Sequence, residues 1–371
     1  MRSSGGPLYL RIQGELAGRL RSGEIPPDAP FPSERTLCKE FGVSNITVRR
    51  ALLELVRDRL IYRQPGVGSF AAPVGRPIRM LLVLHGFGGE DWRDRGDLFV
   101  PLIDGIIGVA WRHDTVFSFA RLSEEASLGS YLSGIISERS ADAVLLRPLD
   151  DPSPADIELL ERNLMPYAYI KRRLADRPTN CVVTDSVTAG RIMTEHLLQH
   201  GCRRIAFIGG RRGYSIGDDL ERGYKAALVA AGVSVEDSLI RRCGLVTQED
   251  GRDLMTELLR DPKDRPSGVI THDDLMAVGA CEAARELGLS IPDDLAIVGH
   301  DDHPVAQKHS PALTTMRTSE VDYGRVAAEL VLDLVRNQRV GTHQVLVPQQ
   351  LIVRDSCGSH ANGKSVVNYH P

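Results

Sequence analysis

The chain has 371 residues, of which 42% are hydrophobic and 25% are charged, and its net charge is −4. This length exceeds what one hydrophobic core usually supports, so we expect a soluble globular protein with two or three folding units. The sequence has no run of 18 apolar residues, which argues against a membrane span, and residues 1–7 do not resemble a secretory leader. The six cysteines form no C-x-x-C pair, so neither a disulfide framework nor a zinc site is expected.

The charge is unevenly distributed along the chain. Residues 1–76 contain twelve Lys or Arg and seven Asp or Glu, a net charge of +5, so the remainder carries −9. A basic N-terminal part on an acidic body favours a polyanionic partner for that part. The alternative is a chance asymmetry of a few charges.

Three short helices are predicted in the first sixty residues. Apolar residues at spacings of three and four predict a helix over about residues 9–20, and the proline-rich segment 25–32 cannot continue it. Ser33 is placed to cap a second helix, Gly42 to end it, and Ser44 to cap a third. Two helices that meet across such a turn form a helix-turn-helix.

A β-hairpin is predicted directly after the third helix. Segments 60–63 and 69–71 have strand character and flank a glycine-rich tip, which is typical of a wing. The start of the third helix would enter the major groove of DNA, where arginine binds guanine or phosphate. The alternative is a small helical bundle with a solvated arginine face. The exposed residues predicted there are Asn45, Ile46, Thr47, Arg49 and Arg50.

Four motifs in this region resemble the GntR-type winged-helix DNA-binding domain. They are P-S-E-R at 32–35, G-V-S at 42–44, T-V-R-R-A-L at 47–52 and G-V-G-S-F at 66–70. The resemblance implies that Arg35, Ser44, Thr47 and Arg49 contact double-stranded DNA and that Gly66 approaches the minor groove. Asn45 replaces the family's usual arginine, which predicts a changed base preference, because asparagine pairs best with adenine.

A Pro/Gly-rich linker separates this head, residues 1–72, from a larger domain. We place the linker at 73–78 and the domain at 79–355. Beyond the linker, continuous apolar strands alternate with helices, which predicts a parallel α/β sheet covered on both faces. The tail, 356–371, is polar and aperiodic and is predicted to be disordered. The predicted strands lie at 80–84, 116–119, 143–146, 167–170, 205–208, 268–270 and 296–299.

Several segments of the larger domain resemble the effector domain of LacI-type regulators. They include H-L-L-Q-H-G-C-R-R-I-A-F-I-G-G at 196–210, D-D-L-M-A-V-G at 273–279 and I-P-D-D-L-A-I-V-G-H-D-D at 291–302. A GntR-type head on such a body resembles the AraR-type arrangement.

The resemblance to LacI-type regulators implies a two-lobed, periplasmic-binding-protein-like (type I) fold with three crossovers. The expected lobes are 79–178 with 303–336, and 179–302 with 337–355. The resemblance also implies a cytoplasmic homodimer that acts as a transcriptional repressor, with a carbohydrate-like effector bound between the lobes. No cofactor, metal or membrane partner is expected.

Polar residues at strand ends are the candidates for effector binding. The resemblance implies that Asp301 grips sugar hydroxyls and that Asp273 replaces a ligand-binding asparagine, although either could simply cap a helix. Three positions depart from the LacI-type pattern and predict an unusual effector. Leu220 stands where that family has an arginine, Val246 where it has an aromatic residue and Lys171 where it has an aspartate. The strand-end loops supply the remaining candidates, which are His85, Arg147, Lys171 and Tyr214.

Two other hypotheses compete with the regulator hypothesis: a hydrolase active site and a metal-binding site. Ser215 lies in a G-x-S-x-G motif, and Asp301 or Asp302 with His303 could complete a hydrolase triad in the right chain order. However, the motif needs its serine directly at a strand-to-helix turn, and several residues intervene here. The segments 272–274 and 300–303 could instead hold a metal, although adjacent residues on one loop seldom all bind one ion.

A third alternative is a solute-binding sensor whose head binds a protein rather than DNA. Such a head would need an exposed apolar groove for a partner helix, and the sequence predicts none.

Overall fold

The computed structural model describes residues 7–58, 60–64, 67–72, 77–86, 89–174, 176–244, 246–336 and 341–358. Within these residues the chain forms one two-stranded and two six-stranded sheets. The strands are β1 Ile61–Gln64, β2 Gly68–Ala71, β3 Ile78–His85, β4 Thr115–Leu122, β5 Ala143–Pro148, β6 Tyr167–Ile170, β7 Cys181–Val183, β8 Ile205–Gly209, β9 Ile240–Arg242, β10 Gly268–Thr271, β11 Ala296–Asp301, β12 Thr314–Thr318, β13 Gln344–Leu346 and β14 Gln349–Ile352.

The helices lie mostly between these strands. They are α1 Leu8–Arg21, α2 Glu34–Phe41, α3 Asn45–Arg57, α4 Gly89–Arg112, α5 Leu128–Glu138, α6 Pro154–Arg162, α7 Ser186–Gln199, α8 Ser215–Ala230, α9 Gln248–Leu259, α10 Asp274–Glu286, α11 Pro304–Lys308 and α12 Glu320–Val335. No helix of the described ranges is long and apolar enough to cross a bilayer.

The N-terminal head contains the predicted helix-turn-helix and wing. The Ser33 side chain accepts a hydrogen bond from the amide of Thr36 and caps α2, and Ser44 caps α3 in the same way through Thr47. Gly42 ends α2 with a φ of 63°, a left-handed conformation that glycine adopts at little cost. Strands β1 and β2 pair antiparallel. The apolar sides of the helices and the hairpin pack into one small core.

Each lobe of the larger domain is built on one six-stranded sheet. The first sheet has the order β13-β7-β6-β5-β3-β4, and all its strand pairs are parallel. The second has the order β14-β12-β11-β10-β8-β9, and β14 pairs antiparallel to β12. Strands such as β5 and β6 are fully buried because helices cover both faces of the sheet. The parallel α/β architecture predicted from sequence is confirmed.

The lobe boundaries differ from those expected. Strand β7 pairs with β6 and therefore belongs to the first lobe, and β13 pairs with β7 there. Strand β12 pairs with β11 and belongs to the second lobe. The chain therefore crosses between lobes after β7, after β12 and after β13. The expected boundaries were wrong because strands of three to five residues carry too little periodicity to reveal the sheet they join.

The tail begins later than expected. Ser356 and Cys357 are buried, and the Ser356 hydroxyl donates a hydrogen bond to the carbonyl of Ile297 at 2.6 Å. The same hydroxyl accepts from the amide of Thr314 at 2.9 Å. The prediction of disorder from Ser356 onward is thus wrong for these two buried residues, and residues 359–371 of the predicted tail lie outside the described residues.

Glycines allow α4 and α12 of the first lobe to pack closely. A Cβ atom at Gly105 would lie 2.1 Å from the carbonyl oxygen of Val321, and one at Gly324 would lie 2.0 Å from that of Leu102. Real Cβ atoms do not approach so closely, so a side chain at either position would push the two helices apart. This contact fixes α12, whose first turn reaches the cleft between the lobes, against α4 on the outer surface of the first lobe.

Candidate functional site

The first turn of α3 is the exposed end of the helix-turn-helix. The hydroxyl groups of Ser44 and Thr47 lie 3.0 Å apart, and Ser44 also accepts from the amide of Thr47 at 3.4 Å. The two side chains therefore shape the start of α3. Asn45, Ile46 and Arg49 are exposed beside them. The arrangement presents an asparagine and an arginine on one accessible helix end.

Glu34 gathers two arginines at this surface. Nε of Arg49 donates to Glu34 at 2.9 Å, and Nη2 of Arg63 from the hairpin lies 3.4 Å from the same carboxylate. Arg35 is exposed one residue further along α2. The roles of Glu34 and Arg63 were missed by sequence reasoning. The acidic residue at the start of α2 gave only a helix-dipole signal, and the partner arginines lie 15 and 29 residues away.

Two of the predicted DNA-contacting residues, Arg50 and Gly66, are not seen at the exposed start of α3. The guanidinium of Arg50 lies over the Tyr9 ring of α1, 4.1 Å from its centroid, so Arg50 packs toward α1. Gly66 lies outside the described residues, although Gly68, at the start of β2, is exposed. The surface around Arg49 is therefore built by Arg35, Asn45, Arg49 and Arg63.

The wing contacts the first lobe through a cation–π pair. The guanidinium of Arg139, which follows α5, lies 3.0 Å from the centroid of the Tyr62 ring, and this ring stacks on Phe70 at 5.4 Å. The Arg139 carbonyl accepts a hydrogen bond from Arg79, at the start of the first lobe. This contact joins the head to the body at the end opposite the cleft.

At the cleft, Lys171 and Asp301 are brought together from different lobes. Lys171 follows β6, and Asp301 ends β11. The ammonium group of Lys171 lies 3.2 Å from Asp301 Oδ1 and forms a second ion pair with Glu320 at the start of α12. The lysine side chain is only 4% exposed. Two of the sequence-predicted site residues are therefore direct partners, and Glu320 is a third member that the sequence did not suggest.

Electrostatics keep Lys171 and Asp301 ionised. Burial alone would lower the pKa of Lys171, but the charges of Asp301 and Glu320 raise it above its ordinary value. Burial would likewise raise the pKa of Asp301, yet Lys171 and His300 hold it well below its usual range. Lys171, Asp301 and Asp302 all have positive φ, at 63°, 98° and 57°. Non-glycine residues rarely adopt this conformation, and such strain concentrates at functional sites.

A second cross-lobe ion pair lies nearby. Nη2 of Arg173, on the loop after β6, donates to Asp219 of α8 at 2.6 Å. Arg222 contacts the other oxygen of the same carboxylate at 2.6 Å, so two arginines share it. The sequence did not suggest Arg173 or Asp219 as site residues. Their pairing depends on the closure of one lobe onto the other.

Neighbouring aspartates of the first lobe contact the start of α8. Tyr214 donates its hydroxyl proton to Asp150, and Arg211 lies 3.5 Å from the same carboxylate. Asp151 accepts from the amide of Ser215 at 2.7 Å and from its hydroxyl at 2.9 Å. Tyr214, a predicted site residue, thus bridges the lobes rather than pointing into an empty cleft.

The remaining predicted effector residues lie elsewhere. Asp273 caps α10 by accepting from the amide of Met276 at 3.0 Å, which fits the capping alternative. Nε2 of His85 lies 2.8 Å from the carbonyl oxygen of Ala126. Arg147 is buried and donates to the carbonyl of Pro148 at 3.0 Å. Of the positions that depart from the LacI-type pattern, Leu220 is fully buried in the second lobe, and Val246 packs against the core of the same lobe.

A small cavity remains between the lobes. Its empty space is about 220 Å³, a figure that includes open solvent, so the closed lobes leave little enclosed room between them. The charged groups facing it are two cations and one carboxylate, and three hydroxyls complete its polar lining. The lining residues are Lys171, Arg173, Val183, Thr184, Ser186, Ser215, Ile216 and Asp219.

The hydrolase and metal arrangements do not form at their expected positions. The Ser215 hydroxyl donates to Asp151, while the His303 ring accepts from the amide of Val305. Strand β8 ends at Gly209, several residues before Ser215, so the serine does not lie directly at a strand-to-helix turn. Asp302 is bound by Arg317 and Arg354, each at 2.6 Å. No group of three potential metal ligands occurs in the described part of the chain.

Two protein-family models match this chain. Residues 8–70 match "Bacterial regulatory proteins, gntR family", and residues 194–357 match "Periplasmic binding protein-like domain". The two matches fall on the winged-helix head and on most of the second lobe. They agree with the order of domains in the fold.

Characterised relatives share the whole arrangement or most of it. An arabinose metabolism transcriptional repressor from Halalkalibacterium halodurans is 26% identical, over 96% of this chain and 98% of its own length. The repressor CytR of Escherichia coli is 30% identical, over 85% of this chain and 93% of its own. A solved complex of the regulator CelR with cellobiose superposes with a TM-score of 0.69 at 25% identity, over 94% of this chain and 99% of that one.

Proposed function

Because this chain belongs to the bacterial transcriptional regulators that join a helix-turn-helix head to a periplasmic-binding-protein-like domain, we propose that it is a repressor controlled by a carbohydrate-like effector. The observation that carries the proposal is the capped start of α3, which exposes Asn45 and Arg49 on a head tethered to a two-lobed body. A repressor of this kind acts on chromosomal DNA in the cytoplasm.

The DNA-binding surface that we propose is centred on the first turn of α3. Asn45 and Arg49 would reach base edges in the major groove, while Ser44, Thr47 and the amides at the helix start would face phosphate. Arg35 and Arg63 flank this surface from α2 and β1. Glu34 holds Arg49 and Arg63 in place before DNA arrives, which reduces the side-chain entropy lost on binding.

Arg50 and Gly66 are placed at the edge of the proposed contact. The contact of Arg50 with Tyr9 favours a supporting role, in which the guanidinium reaches the phosphate backbone beside α1. Gly66 retains its proposed place at the wing tip, where a residue without a side chain permits a close approach to the minor groove.

The effector site that we propose is the cavity between the lobes. Lys171, after β6, lines this cavity and binds Asp301 at the end of β11, and parallel α/β sheets bind ligands at that edge. Relatives are named for arabinose metabolism or were crystallised with cellobiose, which supports a carbohydrate-like ligand here. Tyr214 would act at the rim of the cavity. His85, Arg147 and Asp273 would support the strand ends rather than touch the ligand.

We assign dimerisation to the outer face of the first lobe. Val100, Ile107 and Trp111 form an exposed apolar stripe on α4, and Trp111 is 88% exposed. The edge strand β4 adds Phe119, which pairs with Leu82 on the sheet face that packs under α4. A second copy of the chain that covers this face would fix the spacing of two heads, as a palindromic operator requires.

Closure of the lobes would couple the two sites. The cross-lobe contacts of Lys171 and Arg173 form only when the lobes are closed, and Glu320 ties α12 to the same group. Since α12 packs tightly on α4, a change at the cleft would reach the proposed dimer face and the spacing of the heads. Coupling of this kind usually amounts to about 1–3 kcal/mol.

Fluorescence anisotropy on DNA from upstream of the protein's own gene tests the proposal. We expect binding that survives scrambled competitor, weakens with salt, and falls by about 1–3 kcal/mol in Arg49→Ala. The matched control is Arg57→Ala, at the other end of α3 and paired with Glu54. Absence of binding even at low salt would contradict the proposal and favour a sensor whose head binds protein.

A further inference from the structure

We propose that the cleft takes a small molecule with an anionic group, a carboxylate or a phosphate, and that Lys171 and Arg173 determine this specificity. The inference rests on the proposed function, because it assumes that the cleft between the lobes is the effector site. It narrows the effector from carbohydrates in general to acidic or phosphorylated sugar derivatives.

The first support is the charge that faces the cavity. Lys171 and Arg173 line it from the first lobe, against one carboxylate, Asp219, from the second. Lysine is a compact charge and arginine a planar fork, and both are typical ligands for carboxylate and phosphate oxygens. The hydroxyls of Thr184, Ser186 and Ser215 in the same lining can bind the hydroxyl groups of a sugar ring.

The second support is what these cations bind in the closed cleft. Arg173 binds the carboxylate of Asp219 at 2.6 Å, and Lys171 binds that of Asp301 at 3.2 Å. A third carboxylate, Asp151, accepts from the amide and hydroxyl of Ser215. Each of these donors at the cleft therefore binds a carboxylate of the opposite lobe. These internal carboxylates occupy positions that an anionic ligand could fill.

The third support is the loss of features that suit a neutral sugar. Asp301, the carboxylate implied to grip sugar hydroxyls, is engaged by Lys171 and by the hydroxyl of Thr318 at 3.1 Å. Val246, in place of an aromatic residue, packs with the second-lobe core and leaves no ring for a sugar face. A neutral sugar would have to disrupt a buried ion pair and would supply no compensating charge.

A consequence is competition between the ligand and the closed lobes. An anionic group can bind Arg173 only if the ion pair between Arg173 and Asp219 breaks. Asp219 would then remain paired with Arg222. Removing the charge of Asp219 should therefore tighten binding of the anionic ligand, while removing the charge of Arg173 should weaken it. If the ion pair were purely structural, the two substitutions would not change the ligand affinity in opposite directions.

The experiment is calorimetry of the full-length protein with matched neutral and anionic sugars. The pairs are galactose with galacturonate, glucose with glucose 6-phosphate, and ribose with ribose 5-phosphate. We expect at least one anionic member to bind with a Kd below about 1 mM and at least about tenfold more tightly than its neutral partner. Equal or tighter binding of the neutral partners, or binding of no anionic member, would overturn the inference.

Variants separate this inference from a general loss of function. For the anionic sugar, Arg173→Gln should weaken binding at least about tenfold, whereas Asp219→Asn should tighten it. Arg177→Gln, on the same loop but paired with Glu161 at 3.0 Å, is the control and should change nothing. Unchanged binding in Arg173→Gln, or weaker binding in Asp219→Asn, would overturn the inference. Operator binding, measured separately, shows whether the proposed function still holds.

Discussion

The ammonium group of Lys171 lies 3.2 Å from the carboxylate of Asp301, although the two residues belong to different lobes and lie 130 positions apart in the chain. Glu320 forms a further ion pair with the same lysine. One buried cation thus compensates two carboxylates at the point where the chain crosses between lobes. This group of three residues stabilises the closed cleft only as long as all its charges are present.

Replacing Lys171 with methionine should destabilise the protein strongly. The change leaves Asp301 and Glu320 buried beside each other without a cation, and breaking a buried pair in this way usually costs about 3–5 kcal/mol. Urea unfolding measures the loss. Lys225→Met is the control, since this more exposed lysine pairs with Glu221 on one helix and should cost less than about 1 kcal/mol. Equal losses in the two variants would show that the buried group of three does not stabilise the fold.

Gly105→Ala should destabilise the first lobe, because the added methyl group would collide with the backbone of α12 at Val321. The expected loss is about 1–3 kcal/mol or more, measured by thermal unfolding. Gly134 of α5 provides the opposite case, since a Cβ there meets nothing within 4 Å. Gly134→Ala should stabilise by about 0.5–1 kcal/mol. Stabilisation by both variants would contradict the close packing of α4 and α12.

His196 should make stability fall in mild acid. Burial, and then the neighbouring His200, lower the pKa of His196 from 6.5 to about 4, so the folded protein keeps it neutral. Between those values the unfolded chain binds the extra proton, and stability therefore decreases as the pH falls from 6.5 toward 4, by about 3 kcal/mol in total.

Chemical unfolding of His196→Asn at several pH values isolates this contribution. The variant should lose part of the pH dependence between 6.5 and 5, while His113→Asn, at an exposed position, should keep it. If the pH profile of His196→Asn matched that of the parent protein, His196 would not be buried in its neutral form.

The proposed dimer face should be sensitive to charge. Trp111→Lys places an ammonium group in the apolar stripe of α4 and should raise the dimer dissociation constant at least about tenfold without affecting the fold, since Trp111 is exposed in one chain. Analytical ultracentrifugation measures the change. Val229→Lys, at another exposed apolar position, on α8 of the other lobe, is the control. If only the control variant weakened the dimer, the result would indicate that the dimer interface lies on the second lobe.

Local signals in the sequence predicted the head well. Ser33, Gly42 and Ser44 each carry a capping or turn preference that depends on a few neighbouring residues, and each caps or ends the helix expected. The continuous apolar strands of the body likewise identified the parallel sheets. Strands β7, β9 and β12 to β14 were missed, because they are short and β12 is rich in threonine.

The partners across the cleft could not be predicted in the same way. Lys171 and Asp301 were both candidates, but nothing in either local segment indicates that they bind each other. The same holds for Arg173 with Asp219 and for Glu34 with Arg49. Such pairs depend on how the lobes and helices come together, which periodicity and capping do not encode. The capping role of Asp273, by contrast, was one of the alternatives that the sequence left open.

The most direct test of the account asks whether the cleft controls DNA binding. The double variant Arg173→Gln/Tyr214→Phe removes two contacts that hold the lobes together, while the surface around Arg49 stays intact. Anisotropy should show operator affinity altered by about fivefold or more, and the Arg177→Gln control unaltered. Operator affinity equal to that of the parent protein, with X-ray scattering showing that the lobes have opened, would contradict the account.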